Sequence, residues 1–162
     1  MVIGAGDNNL MPRLLNLQAS GLLKQIGSGA NLVDFTSVNN LLELIEQCFT
    51  VPESAMGRAY NISNGKPDKL WEVIDQLCIA LNISTQRKKL PYALVMGLAK
   101  LNEKVCRALK LKKEPRLLPV PISVLANSMT LNVDAAKQFL AYAPIQTTEQ
   151  AMQDFLAERE AK

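Results

Sequence analysis

Val2-Ile3-Gly4-Ala5-Gly6-Asp7, running on into Asn8-Asn9-Leu10-Met11-Pro12-Arg13-Leu14-Leu15, is the stretch from which the fold is read. Two apolar, β-like residues enter a glycine turn. Apolar positions then recur at Leu10, Leu14, Leu15, Leu17 and Leu22, the wide stripe of an amphipathic helix ending near Leu23. Asn8 or Asn9 is the expected cap, and Pro12 is tolerated in a first helical turn, where its missing N–H costs nothing. A strand stub, a tight turn and a helix in this order make one unit of an α/β chain.

The same unit recurs outward from there. Gly27-Ser28-Gly29 is a turn, and Leu32 to Val38 is predicted as a strand rich in β-branched and aromatic residues. Asn39 and Asn40 are cap candidates for a helix striped by Leu41, Leu42, Leu44, Ile45, Cys48 and Phe49. Ala59 to Ser63 is the next predicted strand, and Pro67-Asp68 opens a helix that buries Leu70, Trp71, Ile74, Leu77, Cys78 and Leu81. A long helix is expected from about Tyr92 to Leu109. Pro115, Pro119 and Pro121 predict an irregular loop, with a helical turn at Ile122 to Ala126. Thr130 to Val133 is expected extended and Asp134 is expected to cap a short helix. Thr147 and Gln150 have capping-box spacing ahead of a last helix packed through Met152, Phe155 and Leu156. Three strand–helix units followed by helices are too few strands for a complete doubly wound sheet.

Composition narrows the chemistry. The 162 residues contain no histidine, which removes the commonest general base and most zinc geometries; no metal site is expected. Cys48, Cys78 and Cys106 are far apart and sit among apolar residues, so buried reduced thiols and a cytoplasmic location are expected. Met1 leads directly into the glycine turn without a secretory leader pattern, and no apolar run approaches the ~20 residues of a membrane span. A net charge of +3 gives no reason to expect a nucleic-acid partner.

Two motifs of nicotinamide chemistry fail on inspection. Gly4-Ala5-Gly6 begins like a dinucleotide fingerprint, but Asn9 occupies the third glycine position, so a plain turn is the better reading. A Tyr-x-x-x-Lys pair would let a lysine lower the tyrosine pKa for proton donation. Four residues after Tyr60, Tyr92 and Tyr142 stand Asn64, Met96 and Gln146, so no catalytic residue is assigned. The long helix carries Leu94, Leu98, Leu101, Val105 and Leu109 on one side. Lys100, Lys104 and Arg107 lie on the other, Arg87-Lys88-Lys89 precede it, and Lys110, Lys112 and Lys113 follow it. A solvated basic face and a peripheral membrane contact through residues 91–113 both remain open.

Taken together, four segments carry a resemblance. The opening strand, turn and Leu10-Met11-Pro12-Arg13-Leu14-Leu15 are similar to the G-P-G-D and L-P-R-L text of extended short-chain dehydrogenases, with Ala5 in place of proline. Ile26-Gly27-Ser28-Gly29, Asp34-Phe35 and Val38-Asn39-Asn40 resemble the I-G-D-G, D-F and V-D-N segments of the same family. Gly57-Arg58-Ala59-Tyr60-Asn61-Ile62-Ser63-Asn64-Gly65 resembles its G-x-x-Y-N-I-x-x-G strand. Asp134 to Pro144 resembles the D-x-x-K-A-x-x-x-L-G-Y-x-P signature, with Ala141 in place of glycine. The text is closest to the 3β-hydroxysteroid dehydrogenase-like branch of this NAD-dependent epimerase/dehydratase superfamily.

The resemblance implies an α/β fold: the C-terminal part of a Rossmann-type extended short-chain dehydrogenase, mostly helical with a few short parallel strands. Residues 1–162 would be the substrate-binding part together with the last Rossmann strands, at 2–5 and 59–63. The cofactor-binding portion, with its glycine-rich loop and Tyr/Lys pair, would lie upstream. NAD or NADP would then be the cofactor of the full-length protein, bound weakly at best by these residues alone. Val2, Ile3 and Gly4 would border the cofactor, and Asn8, Asn9, Leu10 and Arg13 would face the substrate. Nucleotide-sugar members carry an arginine before the D-F pair; Val33 stands there, which favours an apolar hydroxy or keto substrate, steroid-like or 3-oxoalkanoate-like. The alternatives are a non-catalytic protein binding lipid or a membrane surface, and a truncated remnant that self-associates through an exposed sheet edge.

Overall fold

The computed structural model describes residues 1–109 and 118–161. Strand β1 (Val2–Ile3) leads into α1 (Leu10–Ala19), followed by β2 (Gln25–Ile26), β3 (Leu32–Val33), β4 (Thr36–Ser37) and α2 (Val38–Gln47). A 3-10 turn at Glu53–Ala55 precedes β5 (Asp68–Lys69) and α3 (Leu70–Ala80). Then come β6 (Lys89–Leu90), α4 (Tyr92–Ala108), α5 (Pro119–Ala126), α6 (Asp134–Leu140) and α7 (Thr148–Glu160). The strands pair two by two: β1 with β4 and β2 with β6 in parallel, β3 with β5 antiparallel. The fold is therefore the α/β, mostly helical one expected, except that one of its three strand pairs is antiparallel.

The main core lies where α1, α3 and α7 converge on β1 and on the segment from Val33 to Phe35. Ile3, Met11, Leu15, Phe35, Leu70, Ile74, Leu77 and Phe155 are all essentially inaccessible to solvent there. Two smaller clusters extend it. Leu44, Ala55, Ala136, Leu140 and Tyr142 join α2 to α6, and Ile26, Val95, Ala99 and Ile122 join β2 to α4 and α5.

Several local expectations are corrected, each for a visible reason. The predicted strand at 2–5 is two residues long because Gly4, at φ +142°, turns the chain out of the ladder. The predicted strand at 59–63 makes no ladder. Thr36 Oγ1 donates to the Ile62 carbonyl (3.2 Å) and Tyr142 Oη to the Ser63 carbonyl (2.9 Å), so side-chain hydroxyls hold what strand partners would have held. Burial raises the Tyr142 phenol above its ordinary pKa, which keeps it a donor in that bond. The predicted strand 32–38 divides at Asp34-Phe35, where the chain leaves one strand pair for another. Asp34 N–H donates to the Met129 carbonyl, and its carboxylate accepts from Leu131 N–H at 2.6 Å. That bond ties down the segment 130–133, which forms no strand, and Val133 at its end, φ −106° and ψ 7°, is not extended.

Helix ends differ in the same spirit. Pro119 and Pro121 lie in the first turn of α5 rather than in a loop, since proline is preorganised for that position; Pro115 lies outside the described residues. Ser37, not Asn39 or Asn40, caps α2 by accepting from Asn39 N–H at 3.1 Å. Asp134 is the first residue of α6, not its cap, and donates its N–H to Asn132 Oδ1. Thr147 and Gln150 form the capping box as read, with both reciprocal bonds present. The thiols divide: Cys78 is buried and its pKa raised by burial, Cys106 is half-buried, and Cys48 is exposed. Cys48 fails the expectation because α2 buries only Asn40 and Leu44, leaving Leu42, Ile45 and Phe49 at the surface as well.

Candidate functional site

The site is built on the turn between β1 and α1. Gly4 is buried at φ +142°, a conformation that favours glycine, and a Cβ placed on it would touch the side chain of Val38 at 3.4 Å, so the end of β1 packs against the start of α2. Gly6, at φ +84°, completes the turn and donates its N–H to the carboxylate of Glu158 on α7.

Asp7 is the residue that organises this turn, and sequence reading passed over it. One carboxylate oxygen accepts from Asn9 N–H (2.9 Å) and Leu10 N–H (3.0 Å), and the other from Met11 N–H (3.0 Å). A helix N-terminus presents unpaired N–H groups and a positive dipole end, the chemistry that elsewhere receives a phosphate. Here an internal carboxylate has taken that place. The first N–H groups of α1 are thus engaged from within the chain. Asn9 holds the cap position but its side chain makes no capping bond. Replacing Asp7 by alanine is expected to lower stability by about 1–2 kcal/mol, read from the midpoint of urea unfolding, through the loss of three N–H acceptors.

A cleft of about 300 Å³ lies between this turn and the last helix, lined by Asp7, Asn8 and Pro12 on one wall and by Phe155, Glu158 and Arg159 on the other. Of the residues expected to face substrate, Asn8 lines the cleft, and its Nδ2 donates to the Gly6 carbonyl at 3.2 Å. Leu10 is half-buried against the main core, while Asn9 and Arg13 are exposed outside the cleft. Of the residues expected to border a cofactor, Ile3 is fully buried in the core, Gly4 is buried under Val38, and Val2 is half exposed on β1. Phe155, Glu158 and Arg159 lie some 150 positions from Asn8 in the chain, and no local pattern marks them as its neighbours.

Behind the cleft a buried amide network locks the architecture. Asn40, fully buried, accepts through Oδ1 from Ile145 N–H and Gln146 N–H, both at 2.8 Å. Its Nδ2 donates to Asn64 Oδ1 (2.7 Å) and to the Gln146 carbonyl (2.8 Å). Asn64 in turn accepts from Ser37 N–H and donates to Thr148 Oγ1. Four parts of the chain meet there: the first turn of α2, the segment after Ser63, the loop before α7 and α7 itself.

Val33, in the position that would hold a phosphate-binding arginine, is fully buried in the core, pairs with Asp68 and bridges to Met129. Of the basic residues read around α4, Lys110, Lys112 and Lys113 lie outside the described residues. Arg87, read as part of a basic linker, is half-buried, with its side chain turned inward. Its guanidinium lies 4.9 Å over the Trp71 ring and pairs with Asp75, and desolvation lowers its pKa. Among the described residues no cluster of three or more His, Cys, Asp or Glu could hold a metal, and no helix is long and apolar enough to cross a membrane.

No protein-family profile matches the chain. It is 34% identical over 154 residues to 3β-hydroxysteroid-dehydrogenase/decarboxylase isoform 2 of Arabidopsis thaliana, covering 89% of this chain and 27% of that protein. It is 28% identical over 155 residues to 2-alkyl-3-oxoalkanoate reductase of Stenotrophomonas maltophilia (strain K279a), covering 94% of this chain and 47% of the relative. The chain thus spans less than half the length of these curated relatives. In fold it is similar to the crystal structure of gox2253, with a TM-score of 0.69 at 18% identity over 99% of this chain and 47% of the other. It is also similar to UDP-glucuronic acid 4-epimerase from Bacillus cereus in complex with NAD, with a TM-score of 0.64 at 13% identity over 99% of this chain and 42% of the other.

Proposed function

The chain belongs to the extended short-chain dehydrogenase/reductase superfamily, on its 3β-hydroxysteroid dehydrogenase-like branch, and from that premise we propose that it is the C-terminal, substrate-side part of an NAD(P)-dependent oxidoreductase. The substrate is an apolar hydroxy or keto compound, steroid-like or 3-oxoalkanoate-like. The relatives named above are a hydroxysteroid dehydrogenase and an oxoalkanoate reductase, which favours that class. Burial of Val33 in the core favours it too, because a phosphate-clamping side chain has no opening there. The residues present bind and orient. They do not by themselves transfer hydride.

The observation that carries this reading is the Asp7 carboxylate on the first N–H groups of α1. With that helix end occupied from within, the dinucleotide's phosphates would be cradled by other residues, and of Val2, Ile3 and Gly4 only Val2 offers an exposed side chain at the end of β1. A reductase of this family would supply hydride from the nicotinamide C4 and a proton from a tyrosine phenol, and no tyrosine here has its lysine four residues on. Asn8 on one wall, with Glu158 and Arg159 on the other, could meet a polar group of the substrate, and Phe155 contributes apolar lining.

The purified chain, supplied with NADH or NADPH and a panel of apolar ketones, is expected to show no oxidation of the cofactor at 340 nm. Ketone-dependent turnover would overturn the reading. The unpaired edge of β1, whose described ladder has β4 alone as partner, is the surface on which the remaining sheet, or a second copy of the chain, would pair.

A further inference from the structure

Asn64 stands directly before Gly65, and no other asparagine of the chain precedes a glycine. Glycine puts no Cβ in the path between its own nitrogen and the asparagine side chain, so this pair is the one most open to spontaneous deamidation. The Gly65 nitrogen attacks Asn64 Cγ. A C–N bond forms, the bond from Cγ to Nδ2 breaks, and ammonia leaves with the proton of the Gly65 nitrogen, closing a succinimide. Water then opens the ring. Cleavage of the new bond gives an aspartate on an unaltered main chain. Cleavage of the original peptide bond gives an isoaspartate, with a main chain one carbon longer. Nothing is oxidised or reduced, and water is the one co-reactant.

The structure places this pair where α2 meets α7. Asn64 is half-buried and lines a surface cleft of about 240 Å³ with Lys66, Asp68, Thr147, Thr148 and Glu149. Three bonds hold its amide: Oδ1 accepts from Ser37 N–H and from Asn40 Nδ2, both at 2.7 Å, and Nδ2 donates to Thr148 Oγ1 at 3.0 Å. Ring closure has to break them, so they slow the reaction in the folded chain.

The same contacts suit the acid. Ser37 and Asn40 already donate, and the Thr148 hydroxyl can turn from acceptor to donor, so an aspartate keeps all three bonds. Thr148 opens α7, where the positive end of the helix dipole favours an anion. Of the charged residues lining the cleft, Lys66 adds to that attraction, while Asp68 and Glu149 oppose it. An isoaspartate fits less well. Asn64 N–H donates to the Phe35 carbonyl at 2.7 Å and Gly65 N–H to Ser63 Oγ at 3.1 Å, and the added carbon falls between the two.

We propose that Asn64 is a deamidation site whose aspartate form the α2–α7 junction retains. Conversion places a negative charge beside the first turn of the helix that walls the β1–α1 cleft. The proposal does not depend on the oxidoreductase reading, since neither nicotinamide nor ketone takes part.

The test keeps the full chain folded at mildly alkaline pH and follows the change from amide to acid by mass spectrometry of tryptic digests. Trypsin spares the Lys66–Pro67 bond, so position 64 lies in the peptide 59–69. The first acid is expected at 64, ahead of Asn61 in the same peptide and of every other asparagine. Thr148→Val frees Nδ2 while keeping the side-chain shape, and is expected to speed conversion of the folded chain about fivefold, the factor of one lost hydrogen bond. Asn64→Asp, the product made directly, is expected to melt within about 4 °C of the wild type. The proposal is overturned if no acid forms at 64 in the folded chain or if another asparagine converts first. It is equally overturned by a rate that Thr148→Val leaves unchanged, or by an Asn64→Asp protein that melts as low as Asn40→Ala.

Discussion

Asn40→Ala is expected to be among the most destabilising single substitutions in this protein, lowering the free energy of unfolding by about 3–5 kcal/mol. The side chain removed is wholly buried and makes four hydrogen bonds, to Ile145 N–H, Gln146 N–H, the Gln146 carbonyl and Asn64 Oδ1. Alanine satisfies none of them, and the N–H groups at 145 and 146 lose their acceptor together with the two bonds that Nδ2 donates. The neighbour supplies the control. Asn39 is exposed and bonds at the surface to Gln146 and Asp154, so Asn39→Ala is expected to cost under about 1 kcal/mol. Asn40→Asp divides the effect further. It keeps an acceptor for the two N–H groups but turns a second oxygen toward Asn64 Oδ1 and the Gln146 carbonyl, so it too is expected to destabilise strongly. Urea unfolding followed by circular dichroism measures all three; an Asn40→Ala protein as stable as Asn39→Ala would show that the network does not hold the fold.

Phe155→Ala is the second large effect, expected to cost about 3–5 kcal/mol. The ring is 1% exposed and sits where α7 closes over β1 and α3, with the Arg159 guanidinium 5.8 Å above it. Truncation leaves a cavity between elements from opposite ends of the sequence, where the backbone has little freedom to collapse. Phe155→Leu fills most of that volume and is expected to cost roughly 1–2 kcal/mol, mostly through imperfect shape. Because the same ring floors the cleft beside Asn8, the alanine variant also enlarges the cleft. Thermal melting separates the two variants; equal melting temperatures for Phe155→Ala and wild type would mean that α7 is not docked as described.

The two experiments probe one feature from two chemistries. Asn40 anchors the entry to α7 by hydrogen bonds and Phe155 anchors its body by burial. Both hold the wall that faces the β1–α1 turn, so a cleft between sequence-distant segments depends on contacts that are themselves between sequence-distant segments.

Much of this was legible from local pattern. The order strand, turn and helix at the start of the chain, the buried stripe of α3 and the capping box of α7 were read correctly, because each rests on spacing within a dozen residues, whereas α1 ends at Ala19 instead of near Leu23 and leaves Leu22 exposed. The apolar stripe of α4 was visible for the same reason. Helix starts were misread wherever several polar residues competed for one cap. Asp7 prevailed over Asn8 and Asn9, and Ser37 over Asn39 and Asn40, since which side chain reaches the free N–H groups depends on the incoming backbone angle.

What the linear order determined, then, was the kinds of element, their sequence along the chain, the failure of the nicotinamide motifs and the kinship with extended short-chain dehydrogenases. The tertiary structure alone decided that Ala59 to Ser63 would be held by hydroxyls instead of a ladder and that Arg87 would turn inward over Trp71. It also decided that Asn40 rather than Asn39 would be the buried hub and that Phe155 and Glu158 would face Asn8. The reason is physical. Periodicity and capping are short-range properties of one segment, whereas burial and hydrogen-bond partnership are settled by what another segment, a hundred residues away, brings into contact.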